Sequence, residues 1–427
     1  MQIQNRRNFL RLTSGSLLAS VFLPKTISAN EISHLSLLNS SNELGEDYWK
    51  MVRKQFPLKN DFLYLNNGTM GPSPYYVIER TQKAMMEADE EGNYGGWENT
   101  CKKIADFVGA HQDEIVLTRN VTEGINIICN GLELKKGDEV IVTTHEHGGN
   151  AFPWLNIAKQ KGIVLKALPP GKTAEDTLNR FSLLLNAKTK AIAIPHILCT
   201  QGQILPVKEI TKLAQEKGVF VFIDGAHGPG MLKLDLHDMN CDAYATCCHK
   251  WMLGPKGTGF LYIKKESFEK IKPWFVGAGS DNGKWNMAAV PPQMGDYAVN
   301  AHRYYAGTFN GGLCKGVVAS IEFIEAIGQE NITNRIFALA AYAQQQLLAL
   351  GDGIEMLTPV EPKSRGAVIG FRVKGKDSLE LYEKIMESRI RIRQVHENGL
   401  NSLRISTHIY NTQQDVDVFI SKLKTLI

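Results

Sequence analysis

Two side chains near the middle of the chain have the types and surroundings for covalent chemistry with a carbonyl compound. Asp224 closes the apolar run Val219-Phe220-Val221-Phe222-Ile223 and is followed by Gly225-Ala226-His227-Gly228. A carboxylate at the end of such a strand can hydrogen-bond the nitrogen of a heteroaromatic ring and keep it protonated, which makes the ring an electron sink. An Asp there can equally cap the next turn. Lys250 follows within Cys247-Cys248-His249-Lys250-Trp251, ahead of Gly254-Pro255-Lys256-Gly257-Thr258-Gly259 and a further apolar run. A lysine boxed in by apolar and small residues is partly stripped of water, the condition for condensing with a carbonyl. A lysine taken alone reads as a solvated surface group, so the combination carries the argument.

Two further segments add polar groups. In Thr118-Arg119-Asn120-Val121-Thr122-Glu123-Gly124 an extended stretch runs into a polar turn and then an apolar-periodic helix. Backbone amides and the Thr122 hydroxyl at that helix N-terminus form a ready phosphate site, or else a plain cap. Thr144-His145-Glu146-His147-Gly148-Gly149-Asn150 also follows a strand-like run. Its two histidines and glutamate invite a metal reading, but they lack the helical His-Glu-x-x-His spacing and no further ligand lies close by. Stacking of His147 on an aromatic ring is the better use, and no metal is expected.

The elements that must position these groups are short β-branched runs alternating with amphipathic stretches. The strands are read at Glu139–Thr143, Ala191–Ile194, Val219–Ile223 and Gly259–Ile263, and helices at Ala151–Gln160 and Val207–Lys217. Strand followed by helix, repeated, predicts a mostly parallel sheet covered on both faces, in which ligands bind beyond the carboxyl ends of the strands. Near Gly311 the rhythm changes to long helices, Cys314–Gly328 and Asn331–Leu350, then a strand, Ala367–Val373. The expected organisation is a large domain over residues 61–312 and a small C-terminal α/β domain over residues 313–427.

Residues 1–29 stand apart. Asn5-Arg6-Arg7-Asn8-Phe9-Leu10-Arg11, a weakly apolar run to Leu23 and the small residues Ser28-Ala29 match an export signal of twin-arginine type. The apolar run is too short and too polar to span a bilayer. The expectation is therefore an exported, extracytoplasmic protein with no membrane attachment once mature, joined to this segment through a linker and arm over residues 30–60. The 48 basic and 44 acidic residues leave a formal charge of +4, which does not suggest a nucleic-acid partner. Seven cysteines, odd in number and at no metal-like spacing, read as mostly buried free thiols of a chain folded before export.

Taken together and in order, these motifs resemble the class V aminotransferase family of fold-type I pyridoxal 5'-phosphate (PLP) enzymes, which includes cysteine desulfurases and isopenicillin N epimerase. The similarity runs from about Tyr64 to about Asn411, and Asn-Asn-Gly at 66–68, Glu-His-Gly-Gly-Asn and His-Lys-Trp look closest to the isopenicillin N epimerase-like branch. The resemblance implies a large domain built on a mostly parallel seven-stranded sheet between helices. It implies that Lys250 forms the Schiff base and moves protons, that Asp224 pairs with the pyridine nitrogen, and that His147 stacks on the ring. It assigns the phosphate to Val121, Thr122 and His249, and places His227, where desulfurases commonly have Gln, near the ring hydroxyl. Thr308, in Ala306-Gly307-Thr308-Phe309, falls where the family reaches the phosphate of a neighbouring subunit, which implies a homodimer. Arg404 matches the arginine that grips a substrate carboxylate, and Asn67 belongs to the segment that closes over the substrate.

Two departures bear on the reaction. Desulfurases need a mobile cysteine shortly before that arginine, whereas this chain reads Arg393-Gln394-Val395-His396-Glu397-Asn398-Gly399-Leu400; Cys199 and Cys247 also replace the family's usual Asn and Ser near the cofactor. The expected chemistry is removal of an amino acid's Cα proton by Lys250 while the Asp224-protonated ring accepts the electrons. Reprotonation then gives an epimerase or a transaminase, and loss of a leaving group a lyase. His396 is a location-based candidate for the second acid of an epimerase. The competing readings are a non-catalytic binding protein on the same fold and a metal hydrolase built on His145, Glu146 and His147.

Overall fold

The computed structural model describes Leu35, Leu38 and residues 44–427 except Gly95 and Ala306. The export-type segment read at residues 1–29 lies outside the described residues.

A short strand, β1 (Leu63–Tyr64), precedes the large domain, whose strands are β2 (Ile115–Thr118), β3 (Glu139–Thr143), β4 (Val164–Leu168), β5 (Thr189–Pro195), β6 (Phe220–Asp224), β7 (Ala243–Cys247) and β8 (Gly259–Ile263). They form one seven-stranded sheet in the order β2-β8-β7-β6-β5-β3-β4. The pairs from β7 through β6, β5 and β3 to β4 are parallel, and β8 alone runs against both its neighbours. The mostly parallel α/β sheet expected above is thus present.

Every residue of β6, β7 and β8 is buried, as in a sheet covered by helices on both faces. Side chains alternate between those faces. Phe220 and Phe222 join the core beneath the helices Val121–Gly131 and Gly148–Lys161, while Val221 and Ile223 join the larger core on the other side. The same alternation sends Asp224 to the face of Phe222, toward the helix that Thr122 opens.

The small domain carries an antiparallel sheet. Its strands β9 (Ile354–Met356), β10 (Val368–Val373), β12 (Arg393–Val395) and β13 (Ser402–Ser406) lie in the order β12-β13-β10-β9, and β11 (Ile390–Arg391) pairs in parallel with β1. Asn66 bridges to Ser406. The segment leading into the large domain is therefore hydrogen-bonded to the small one. All seven cysteines are buried and unpaired.

The strand β7, immediately before Lys250, is not among the strands read from the sequence. Ala-Tyr-Ala-Thr-Cys shows neither alternation nor a bulky β-branched run, because small side chains suffice where the sheet is covered on both sides.

Candidate active site

A cavity of about 260 Å³ opens at the carboxyl ends of the parallel strands, where the large and small domains meet. Asp224, Ala226 and His227 reach it from the end of β6, Cys247, His249 and Lys250 from the end of β7, and Asn120, Val121 and Thr122 from the start of a helix. Arg393 and Arg404 enter from β12 and β13, and Gly68 and Thr69 from the segment after β1.

At one end, the Asn120 side chain accepts the Glu123 N–H at 3.0 Å and caps the eleven-residue helix Val121–Gly131. Val121 and Thr122 line the cavity at that N-terminus, where the helix dipole favours an anion. His249 Nδ1 is buried there without a partner, so a donor or acceptor is left over for a ligand. At the other end Asp224 is 6 % exposed, and its Oδ1 accepts the Ala226 N–H at 2.9 Å. Burial raises its pKa above the usual carboxylate value, the Ala226 N–H and Lys250 opposing. These features fit PLP: an anion cradle for the phosphate, a carboxylate for the ring nitrogen and the amine of Lys250 lining the same cavity.

Lys250 sits on a tight turn. Leu253 adopts left-handed backbone geometry (φ 59°), which is costly for a leucine, and its N–H returns to the Lys250 carbonyl at 3.2 Å. The Gly71 N–H donates to the His249 carbonyl at 2.7 Å, and a Cβ at Gly71 would lie 2.1 Å from the Lys250 carbonyl oxygen. Only glycine allows that approach. Lys250 Nζ lies 3.4 Å from His227 Nε2, and Trp251 Nε1 donates to His227 Nδ1 at 3.0 Å.

On the small-domain wall, Arg404 is fully buried, donates through Nη1 to the Cys199 carbonyl and through Nη2 to Thr69 Oγ1 at 2.9 Å, and has no partner at Nε. Arg393 is paired with Glu397. Asn398, on the same loop, donates to the Thr144 carbonyl at 2.6 Å and ties the small-domain loop to the large-domain turn that carries His145 and His147.

The structure gathers Lys250, Asp224, His147, Val121, Thr122, His227, His249 and Arg404 around one cavity. His147 is exposed at its mouth, with Nδ1 accepting the Gly149 N–H at 3.0 Å. Asn67 stands behind the wall instead, accepting the Tyr410 hydroxyl at 3.0 Å, while Gly68 and Thr69 face inward. Thr308 lies in a separate hollow with Tyr94, Trp97 and Phe309. His396 is exposed outside the cavity, near Gln394. Glu146 is committed to structure: its carboxylate accepts from the Thr143 N–H and hydroxyl and from Asn150, each at 2.8 Å. Arg393 and Trp251 were assigned no role from the sequence. Arg393 alternates with Arg389 and Arg391, and nothing in that pattern singles out the one that reaches the cavity.

The sequence profile of the aminotransferase class-V family matches residues 79–419. A probable cysteine desulfurase of Pyrococcus abyssi is 28% identical over 400 residues, covering 88% of this chain and 97% of the relative. The isopenicillin N epimerase of Amycolatopsis lactamdurans is 27% identical over 395 residues, covering 88% of this chain and 98% of the relative. Among solved structures, the apo cysteine desulfurase of Thermococcus onnurineus superimposes with a TM-score of 0.78 at 26% identity, over 91% of this chain and 99% of that one. The cystine C-S lyase C-DES, complexed with its product cysteine persulfide, does so with a TM-score of 0.79 at 25% identity, over 86% of this chain and 99% of that one.

Proposed function

The chain belongs to the class V aminotransferase family of PLP enzymes, and on that premise we propose that it removes the Cα proton of an amino acid and carries the reaction on to epimerisation or transamination. PLP, when bound, supplies a ring that accepts the electrons left at Cα. The chain's own groups do the rest. Asp224 holds a proton on the ring nitrogen, the helix start at Val121 and Thr122 together with His249 binds phosphate, and His147 covers the ring at the cavity mouth. Arg404 binds the substrate carboxylate through its planar fork. Lys250 takes the Cα proton as general base and can return it at the neighbouring cofactor carbon for transamination, whereas epimerisation needs a proton from the opposite face, which His396, exposed outside the cavity, does not supply.

One observation carries the reading: Lys250, Asp224 and Arg404 converge on a single cavity that is also lined by a helix N-terminus, Val121 and Thr122. Desulfurase chemistry is disfavoured because the 393–400 loop holds no cysteine. It is instead occupied by the Arg393–Glu397 pair and the Asn398 tie to Thr144. Cys199 reaches the cavity, but burial pushes its thiol up to about 11, which suppresses the thiolate a nucleophile needs. The likeness to a cystine C-S lyase keeps loss of a β-substituent as the second reading. The reading extends to a small-molecule amino acid as substrate, to a homodimer in which Thr308 serves the neighbouring site, and to export through the segment at residues 1–29.

The deciding experiment incubates the PLP-loaded protein with L- and D-amino acids in heavy water. Deuterium at Cα with inversion supports epimerisation, and oxo-acid with amine retained on the cofactor supports transamination. Sulfide or pyruvate release favours the lyase reading. No Cα exchange with any amino acid overturns the proposal.

A further inference from the structure

Trp251 is 1 % exposed, and the proposed chemistry gives it no task. An indole nitrogen can only donate a hydrogen bond. Because Trp251 Nε1 lies 3.0 Å from His227 Nδ1, that nitrogen must accept and carries no hydrogen. A doubly protonated ring would set donor against donor, so His227 is neutral and its single proton is on Nε2. Burial, reinforced by the charge of Lys250, likewise holds its pKa well below the usual imidazole value. Nε2 is the atom that faces Lys250 Nζ, at 3.4 Å.

We propose that Trp251 is a positioning residue that locks His227 in its Nε2–H tautomer, so that a neutral donor, never an acceptor, is presented to the Lys250 amine and to the cofactor beside it. The glutamine common at this position in desulfurases carries its donor on a fixed amide. A histidine needs a partner to decide which nitrogen holds the proton, and Trp251 supplies it. The catalytic use of this arrangement rests on the function proposed above, whereas the lock itself is a property of the cofactor-free chain.

The test reads the tautomer directly. In the full chain labelled with 15N-histidine and free of cofactor, long-range 1H–15N correlation spectra are recorded, and the His227 signals are assigned by their loss in His227→Gln. The wild type is expected to show His227 with an unprotonated Nδ1 and a protonated Nε2, and Trp251→Phe, which keeps a ring but removes the donor, to show a mixed or reversed pattern. A proton on Nδ1 in the wild type overturns the proposal, even if the variant fails to fold. So does a pattern unchanged in Trp251→Phe. In the loaded enzyme Trp251→Phe is expected to slow Cα deuterium exchange about tenfold, equivalent to one hydrogen bond, and to cost little further once His227 is already Gln. Equal losses in both backgrounds would assign Trp251 to packing. Absence of exchange in every form would count against the proposed function, with the spectra of the cofactor-free protein still deciding the lock.

Discussion

Arg393 and Arg404 stand directly opposite each other in the β12–β13 ladder, so two guanidinium groups leave the same face of the small-domain sheet side by side. Like charges in this register repel. Glu397 compensates Arg393, but no carboxylate among the described residues pairs with Arg404. Burial first, and then Arg393, pushes the Arg404 pKa down to about 9. An incoming carboxylate would relieve both penalties at once, which supports the substrate-anchor role proposed for Arg404.

Replacing Arg404 with Lys keeps a charge but loses the fork. KM for the substrate is expected to rise roughly tenfold to a hundredfold, as for a lost charged hydrogen bond of about 1.5–3 kcal/mol, with a smaller change in kcat. Steady-state kinetics on the best amino acid from the heavy-water panel check this, and an unchanged KM would remove Arg404 from the carboxylate site.

Lys250→Ala removes the only lysine that lines the cavity among the described residues. Borohydride treatment of the PLP-loaded wild type is expected to leave a cofactor mass adduct on the tryptic peptide containing Lys250, and none in the variant treated in the same way. Cα exchange should fall by roughly 10²–10⁴-fold, the range for loss of a general base. An adduct on another lysine would contradict the assignment.

Gly71→Ala tests the close approach beneath the catalytic turn. With the new Cβ 2.1 Å from the Lys250 carbonyl oxygen, backbone must move. A loss of roughly 1–3 kcal/mol in unfolding free energy is expected, together with slowed exchange. Unchanged melting and unchanged rate would mean that the turn yields freely.

Acid should destabilise the cofactor-free protein through its buried histidines. Burial lowers His196 to about 4 and His408 to about 3, and it holds His227 well below its ordinary value. Between those values and the unfolded pKa near 6.5 the unfolded chain binds protons that the folded chain refuses. The histidines' contribution to stability is therefore complete above about pH 6.5 and is lost as pH falls toward 4, by about 1 kcal/mol per histidine per pH unit. Urea unfolding at pH 7.5 and 5.5 measures this, and His408→Gln should flatten the slope. Burial raises Glu146 to about 7 and so contributes in the opposite direction over this range, which makes the difference between wild type and His408→Gln the check; equal slopes would be inconsistent with a neutral buried His408.

Much of the fold was legible because buried parallel strands are unbroken apolar runs, and Asp224 stands out as a polar residue at the end of such a run, whereas Lys250 stands out by its apolar and small neighbours between Cys247 and Gly259. β3 and β8 were read with their observed bounds. β7 was not, since Ala243 and Ala245 offer no pattern, and the reversed direction of β8 is a tertiary matter with no local signature. At the site, Thr122 was legible from the helix start. The carboxylate role for Arg404 came through resemblance, because nothing local distinguishes it from other strand arginines. Trp251 was passed over for the opposite reason: a large aromatic beside an apolar strand reads as packing, and its donor matters only once His227 is seen within reach.

The pairing of β1 with β11 has a consequence for how the protein comes into being. Leu63 and Tyr64 find their partners in Ile390 and Arg391, and the residues just after them lie against the backbone of His249 and Lys250. A nascent chain can therefore form most of its central sheet before Ile390 is translated, but it cannot complete the pocket until β11 to β13 have followed. Contacts this distant in sequence form slowly, so competence to hold a ligand arrives late, as a single closing event that joins two segments far apart in the sequence.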